Sequence, residues 1–106
     1  MTELTAAVLG LGRMGSAMAE RLAAQGVVVV VYNRTSERAT ALADRIGASV
    51  AASPAEAASR ADVIISMVAD DAAVRALYDG ADGAAAGLRP GSVAVDMSTE
   101  IGRAHV

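Results

Sequence analysis

The sequence predicts an α/β domain, a doubly wound parallel sheet of five strands in the order 3-2-1-4-5, from three observations. Short apolar runs alternate with amphipathic stretches along all 106 residues, the pattern of successive βα units. Val27 to Tyr32 is an unbroken run of valines closing on a tyrosine, as expected of a strand buried on both faces. Gly10-Leu11-Gly12-Arg13-Met14-Gly15 joins the first apolar run to the first amphipathic stretch as G-x-G-x-x-G. A turn of that composition belongs between a strand and a helix at the point where strand order reverses.

The first strand is expected over Thr5 to Leu9 and the first helix over Met14 to Gln25. Met14, Met18 and Leu22 recur every four residues beside Ala17 and Ala24, which predicts one stripe facing the sheet. Gly26 stands where a helix-ending glycine belongs. After the valine strand, Ala39, Leu42, Ala43 and Ile46 give a second helix from about Ser36 to a stop at Gly47. Ser49 to Ala51 reads as a short third strand. Ser53-Pro54-Ala55-Glu56 opens a third helix with a capping serine, a proline at the first helical position and a capping-box glutamate. Val63 to Val68 is the fourth strand. Asp70 or Asp71 then caps a helix over Ala72 to Tyr78, two carboxylates suited to a helix N-terminus rather than to a metal. A short helix over Asp82 to Leu88, a turn at Arg89-Pro90-Gly91 and a fifth strand over Ser92 to Asp96 complete the order. Met97-Ser98-Thr99 follows at that strand's C-terminal end.

Composition narrows the function. The chain is 54% hydrophobic but only 2% aromatic, so its core is built from Ala, Val, Leu, Ile and Met. A net charge of -3 with scattered arginines argues against a nucleic-acid surface. The absence of cysteine excludes disulfides, thiolate chemistry and Cys-based metal sites. No basic residue precedes the first apolar run, unlike a signal peptide, and no apolar run approaches the roughly 20 residues of a membrane span. A cytoplasmic location is the expectation.

The glycines point to chemistry. Gly10 permits a tight turn, Gly12 removes a Cβ that would block a pyrophosphate, and Gly15 allows close packing of helix on strand. The first N–H groups of the following helix lack intrahelical acceptors and, with the helix dipole, form an anion site. A dinucleotide's phosphates fit there. An acidic residue at the end of the second strand, about 20 residues past the glycines, would take the ribose hydroxyls of NAD. That position holds Asn33, followed by Arg34, Thr35 and Ser36. Arg34 offers a fork for a 2′-phosphate and a plane for adenine, and Arg38, one turn on, reaches the same region. NADP is therefore expected over NAD.

GLGRMGSAMAERL, VYNRT and VDMST resemble the N-terminal domain of the β-hydroxyacid dehydrogenases. That family includes 3-hydroxyisobutyrate dehydrogenases and glyoxylate/succinic semialdehyde reductases, with 6-phosphogluconate dehydrogenases and imine reductases as relatives. The resemblance covers nearly the whole chain and implies a Rossmann-like fold and hydride transfer between NADP(H) and a small 3-hydroxy acid or aldehyde acid. It also implies diphosphate binding at Gly10, Gly12, Arg13, Met14 and Gly15, and 2′-phosphate binding at Asn33, Arg34 and Thr35. Val68 and Ala69 would line the nicotinamide ribose, and Ser98 and Thr99 would contact the substrate carboxylate.

Two departures limit the expectation. The family's proline after S-T is replaced by Glu100-Ile101-Gly102-Arg103, and all nine basic residues are arginines. The family's catalytic lysine, on the helix leading to a second, helical domain, has no counterpart, and His105 is not expected to replace it. The 106 residues are thus expected to form one dinucleotide-binding domain that binds cofactor without turnover. A small carboxylic acid would join only with the second domain. The alternatives are a stand-alone NADP-binding regulatory module, a fragment of an imine reductase-type enzyme, or an assembly fragment. Apolar surface left beside the fifth strand is expected to favour self-association.

Overall fold

Side chains on the central strands point alternately to two apolar layers, so helices must cover both faces of the sheet. The computed structural model describes residues 4–67 and 71–97. Its elements are β1 (Thr5–Leu9), α1 (Arg13–Ala24), β2 (Val28–Tyr32), α2 (Ser36–Ile46), β3 (Ser49–Val50), α3 (Pro54–Ser59), β4 (Val63–Ser66), α4 (Asp71–Tyr78), α5 (Ala84–Gly87) and β5 (Val93–Asp96). The strands pair in parallel in the order β3-β2-β1-β4-β5, the doubly wound order read from the sequence.

Ala7 and Leu9 of β1 and Val30 of β2 join Ile64 of β4 against α3, α4 and α5, through Ala57, Ala58, Leu77 and Ala84. Val8, Val29 and Val31 face the other way, with Leu11, against Ala19 of α1 and Ala39, Leu42 and Ala43 of α2. Each fully buried valine or leucine contributes about 1.5–3 kcal/mol. The helices present mostly alanine to the strands, and the rings of Tyr32 and Tyr78 pack half-buried against the layer under α3, α4 and α5.

Local chemistry sets the boundaries. Ser53 caps α3, its Oγ accepting the Glu56 N–H at 3.1 Å, with Pro54 in the first turn. The Glu56 carboxylate reaches back to the Ala52 N–H. The valine strand begins at Val28 rather than Val27, and only Val29 to Val31 are buried. α5 is confined to Ala84–Gly87, shorter than the Asp82 to Leu88 expected, and β3 ends at Val50 and β5 starts at Val93. β4 closes at Ser66; Val68 to Asp70 of the expected strand and cap lie outside the described residues.

One expectation is corrected. Of the expected stripe Met14, Met18 and Leu22, only Leu22 packs against the core: Met14 is 54% exposed and Met18 half-buried, while Gly15 and Ala19 are the buried positions of α1. The physical reason is the close seat of α1 on the end of β1. A Cβ at Gly15 would lie 1.9 Å from the Gly10 carbonyl oxygen, so the line through Gly15 and Ala19 faces the strands. The methionines are turned aside toward β4 and β5, where Met14, Ala17, Met18, Arg21, Met67 and Met97 line an open cleft.

Candidate functional site

The C-terminal edge of the sheet gathers the turn after β1 and the turn after β2. Gly10 has φ +95°, a left-handed conformation that glycine adopts at little cost, and its N–H donates to the Tyr32 carbonyl at 2.9 Å. The chain then enters α1 with Gly12 at the N-cap, in extended conformation, with no side-chain cap and no acidic residue in the first turn. The leading N–H groups of α1 are therefore left to an anion. A Cβ built on Gly12 meets nothing within 4 Å, so open space lies where a diphosphate would approach. Arg13 and Met14 are exposed beside it.

Leu11 belongs to the fingerprint in a different way. Its side chain is 1% exposed and packs in the core. Its N–H donates to Asn33 Oδ1 at 2.8 Å. Its carbonyl accepts from Ser16 Oγ at 3.0 Å and Arg38 Nη1 at 3.4 Å. Leu11 thus holds the turn, with both peptide groups committed within the chain.

Of the residues after β2, Arg34 and Thr35 are exposed. Arg38 is exposed too, but its guanidinium is tethered to the glycine turn. Asn33 is half-buried, and its amide group serves Leu11 on one side and the Thr35 carbonyl on the other, the latter at 3.1 Å. Arg34, Asn33, Tyr32 and Gly10 line a cleft of about 150 Å³ whose far wall is Ala73, Ala76 and Leu77 of α4. Sequence reasoning missed Tyr32 and that α4 wall. The signal available was the spacing of 73, 76 and 77, one helical face made of small and apolar side chains.

At the end of β4, fully buried Ser66 shares a hydrogen bond between its Oγ and the Tyr78 hydroxyl. Burial pushes the Tyr78 phenol above its ordinary value; the Ser66 bond offsets this in part, and the Asp96 carboxylate adds to the rise. Ser66 is paired in register with Asp96. Val68, Ala69, Ser98 and Thr99, the expected nicotinamide and substrate contacts, lie outside the described residues. Among the described residues no group of three or more His, Asp or Glu side chains gathers as a metal site. None of the helices there is long and apolar enough to cross a membrane.

This arrangement has known counterparts. Residues 5–104 match the family described as the NAD binding domain of 6-phosphogluconate dehydrogenase. The cytokine-like nuclear factor N-PAC of Danio rerio is 43% identical over 91 residues, 86% of this chain and 20% of that protein. Among solved structures, the 3-hydroxyisobutyrate dehydrogenase of Mycobacterium tuberculosis with L-serine is 35% identical with a TM-score of 0.81, covering 93% of this chain and 33% of that one. An imine reductase from Myxococcus stipitatus in complex with NADP+ is 32% identical with a TM-score of 0.80, covering 89% of this chain and 32% of that one. Eight curated relatives that the chain matches are each covered over 16% to 32% of their own length.

Proposed function

The chain belongs to the family of the 6-phosphogluconate dehydrogenase NAD-binding domain, and from that premise we propose that it binds NADP(H) for an oxidoreductase acting on a small 3-hydroxy acid or aldehyde acid. The observation that carries the cofactor choice is Arg34 lining the cleft beside Gly10, next to Asn33 rather than a carboxylate. The fit is supported by the uncapped start of α1 for the diphosphate, the open space at Gly12 and the apolar wall of α4 for adenine. When bound, the nicotinamide supplies the hydride chemistry. The chain's own residues bind and orient: the first turn of α1 holds the diphosphate, and Arg34 and Thr35 take the 2′-phosphate. On the family resemblance alone, contact with the nicotinamide ribose is assigned to Val68 and Ala69, and contact with the substrate carboxylate to Ser98 and Thr99.

These 106 residues carry cofactor binding without turnover, since no lysine is present to move a proton. Titration with NADPH and NADH tests the reading. Arg34→Asp is expected to weaken NADPH at least tenfold more than NADH, because it removes a charge-assisted bond to the 2′-phosphate and adds repulsion. Equal losses would remove Arg34 from that role.

A second reading, a stand-alone NADP-binding regulatory module, is favoured by the similarity to a protein named as a nuclear factor rather than a dehydrogenase. A reading frame that continues into a lysine-bearing helix and a helical domain would exclude it. Under either reading, the apolar surface beside β5 favours self-association with a second copy.

A further inference from the structure

We propose that Asn33 is a positioning residue that clasps the two cofactor-binding turns together, fixing the glycine turn before any ligand arrives. Its functional consequence rests on the NADP(H) reading above, whereas its mechanism rests on the geometry of the chain. A side chain at the end of β2 either faces the ligand or faces the glycine turn. Asn33 does the second. Its Oδ1 accepts the Leu11 N–H at 2.8 Å and its Nδ2 donates to the Thr35 carbonyl at 3.1 Å. Both partners fix the orientation of the amide, because an N–H only donates and a carbonyl only accepts.

The clasp closes on a peptide that is held elsewhere too. Leu11 is anchored by its buried side chain, and its carbonyl takes Ser16 Oγ and Arg38 Nη1. Gly12, whose extended backbone leads into α1, follows directly. The aim of the α1 N-terminus is therefore set by a residue of the β2–α2 turn, the same turn that presents Arg34. Preorganisation of this kind raises affinity by removing the cost of ordering the loop on binding. A cofactor lacking the 2′-phosphate benefits equally, which separates a clasp from a direct phosphate contact. An aspartate at this position retains the acceptor for Leu11 and loses the donor to Thr35.

The test combines amide hydrogen exchange at Leu11 in the ligand-free protein with NADPH and NADH titrations of the wild type, Asn33→Ala and Asn33→Asp. In Asn33→Ala, Leu11 protection and affinity for both dinucleotides are expected to fall roughly three- to tenfold, the loss of a neutral hydrogen bond. In Asn33→Asp, Leu11 protection and NADH affinity are expected to hold while NADPH affinity falls, a rescue that a general folding defect would not give. In Asn33→Ala, unchanged Leu11 exchange or an affinity loss confined to NADPH would overturn the clasp. Should Asn33→Ala not fold, lost Leu11 protection in folded Asn33→Asp overturns it. If the wild type binds neither dinucleotide, the cofactor reading fails and Leu11 exchange alone decides the clasp.

Discussion

At the scale of single residues, the polar groups beneath the site behave differently from those above it. Ser66 has no exposed surface, and its Oγ pairs with the half-buried Tyr78 hydroxyl. A buried hydroxyl without a partner costs about 1–3 kcal/mol, so Tyr78→Phe is expected to lower stability by about that amount at pH 7. The same pair carries a pH dependence. Burial, aided by the nearby Asp96 charge, raises the Tyr78 phenol above 10.0 in the folded chain, so the folded state holds that proton more tightly than the unfolded state. The contribution is fully present below the unfolded value and is lost as the pH rises through the folded one. Urea unfolding followed from pH 7 to 11 is expected to show stability falling above about pH 10. In Tyr78→Phe that alkaline limb is expected to be shallower, and tyrosinate absorbance dates the ionisation independently. An unchanged limb would assign it elsewhere.

At the scale of elements, the fit of α1 on β1 shows what the sequence made legible. The spacing of Gly10, Gly12 and Gly15 announced a strand, a turn and a helix, and the structure shows why at two of them: Gly10 takes a left-handed φ, and a side chain at Gly15 would meet the Gly10 carbonyl. The helix's rotation was not legible. Hydropathy favours Met14 and Met18 over Gly15 and Ala19, yet depth of docking decides, and the small residues are those that let α1 descend. Asn33 shows the same limit. Its place after β2 was readable from one stretch, but its bond to Leu11 joins residues 22 apart in sequence, which no local pattern encodes. The wall of α4 was missed likewise, since Ala73, Ala76 and Leu77 matter only through what faces them. The docking argument has a direct consequence: Gly15→Ala places a methyl group 1.9 Å from the Gly10 oxygen. Neither backbone yields easily there, so a loss of about 2–3 kcal/mol is expected by chemical denaturation. A loss below about 0.5 kcal/mol, typical of an exposed site, would mean that α1 seats further out.

At the scale of the whole molecule, the sheet is covered unevenly. α3, α4 and α5 lie over one face, whereas the core contacts of α1 and α2 on the other are with β1 and β2. By register, Val93 and Val95 share a face with Val63 and Ile65, opposite to buried Ile64. They remain 55% and 38% exposed, and Met14 and Met97 continue the apolar strip. β5 is also the edge of the sheet among the described residues, with no proline or lysine in it to discourage pairing with another strand. A second copy supplies the same edge, and two copies meeting about a twofold axis would run their β5 strands antiparallel, leaving the short β3 as the outer edge of each copy. Sedimentation across a concentration series is accordingly expected to show reversible dimer formation. Val93→Lys, which sets a charge on that edge at the end of β5 away from the glycine turn, is expected to shift the population to monomer while NADPH affinity is retained. A wild type that stays monomeric at the highest concentration would rule out this pairing, and a variant that loses dimer and cofactor binding together would show that β5 supports the site as well as the edge.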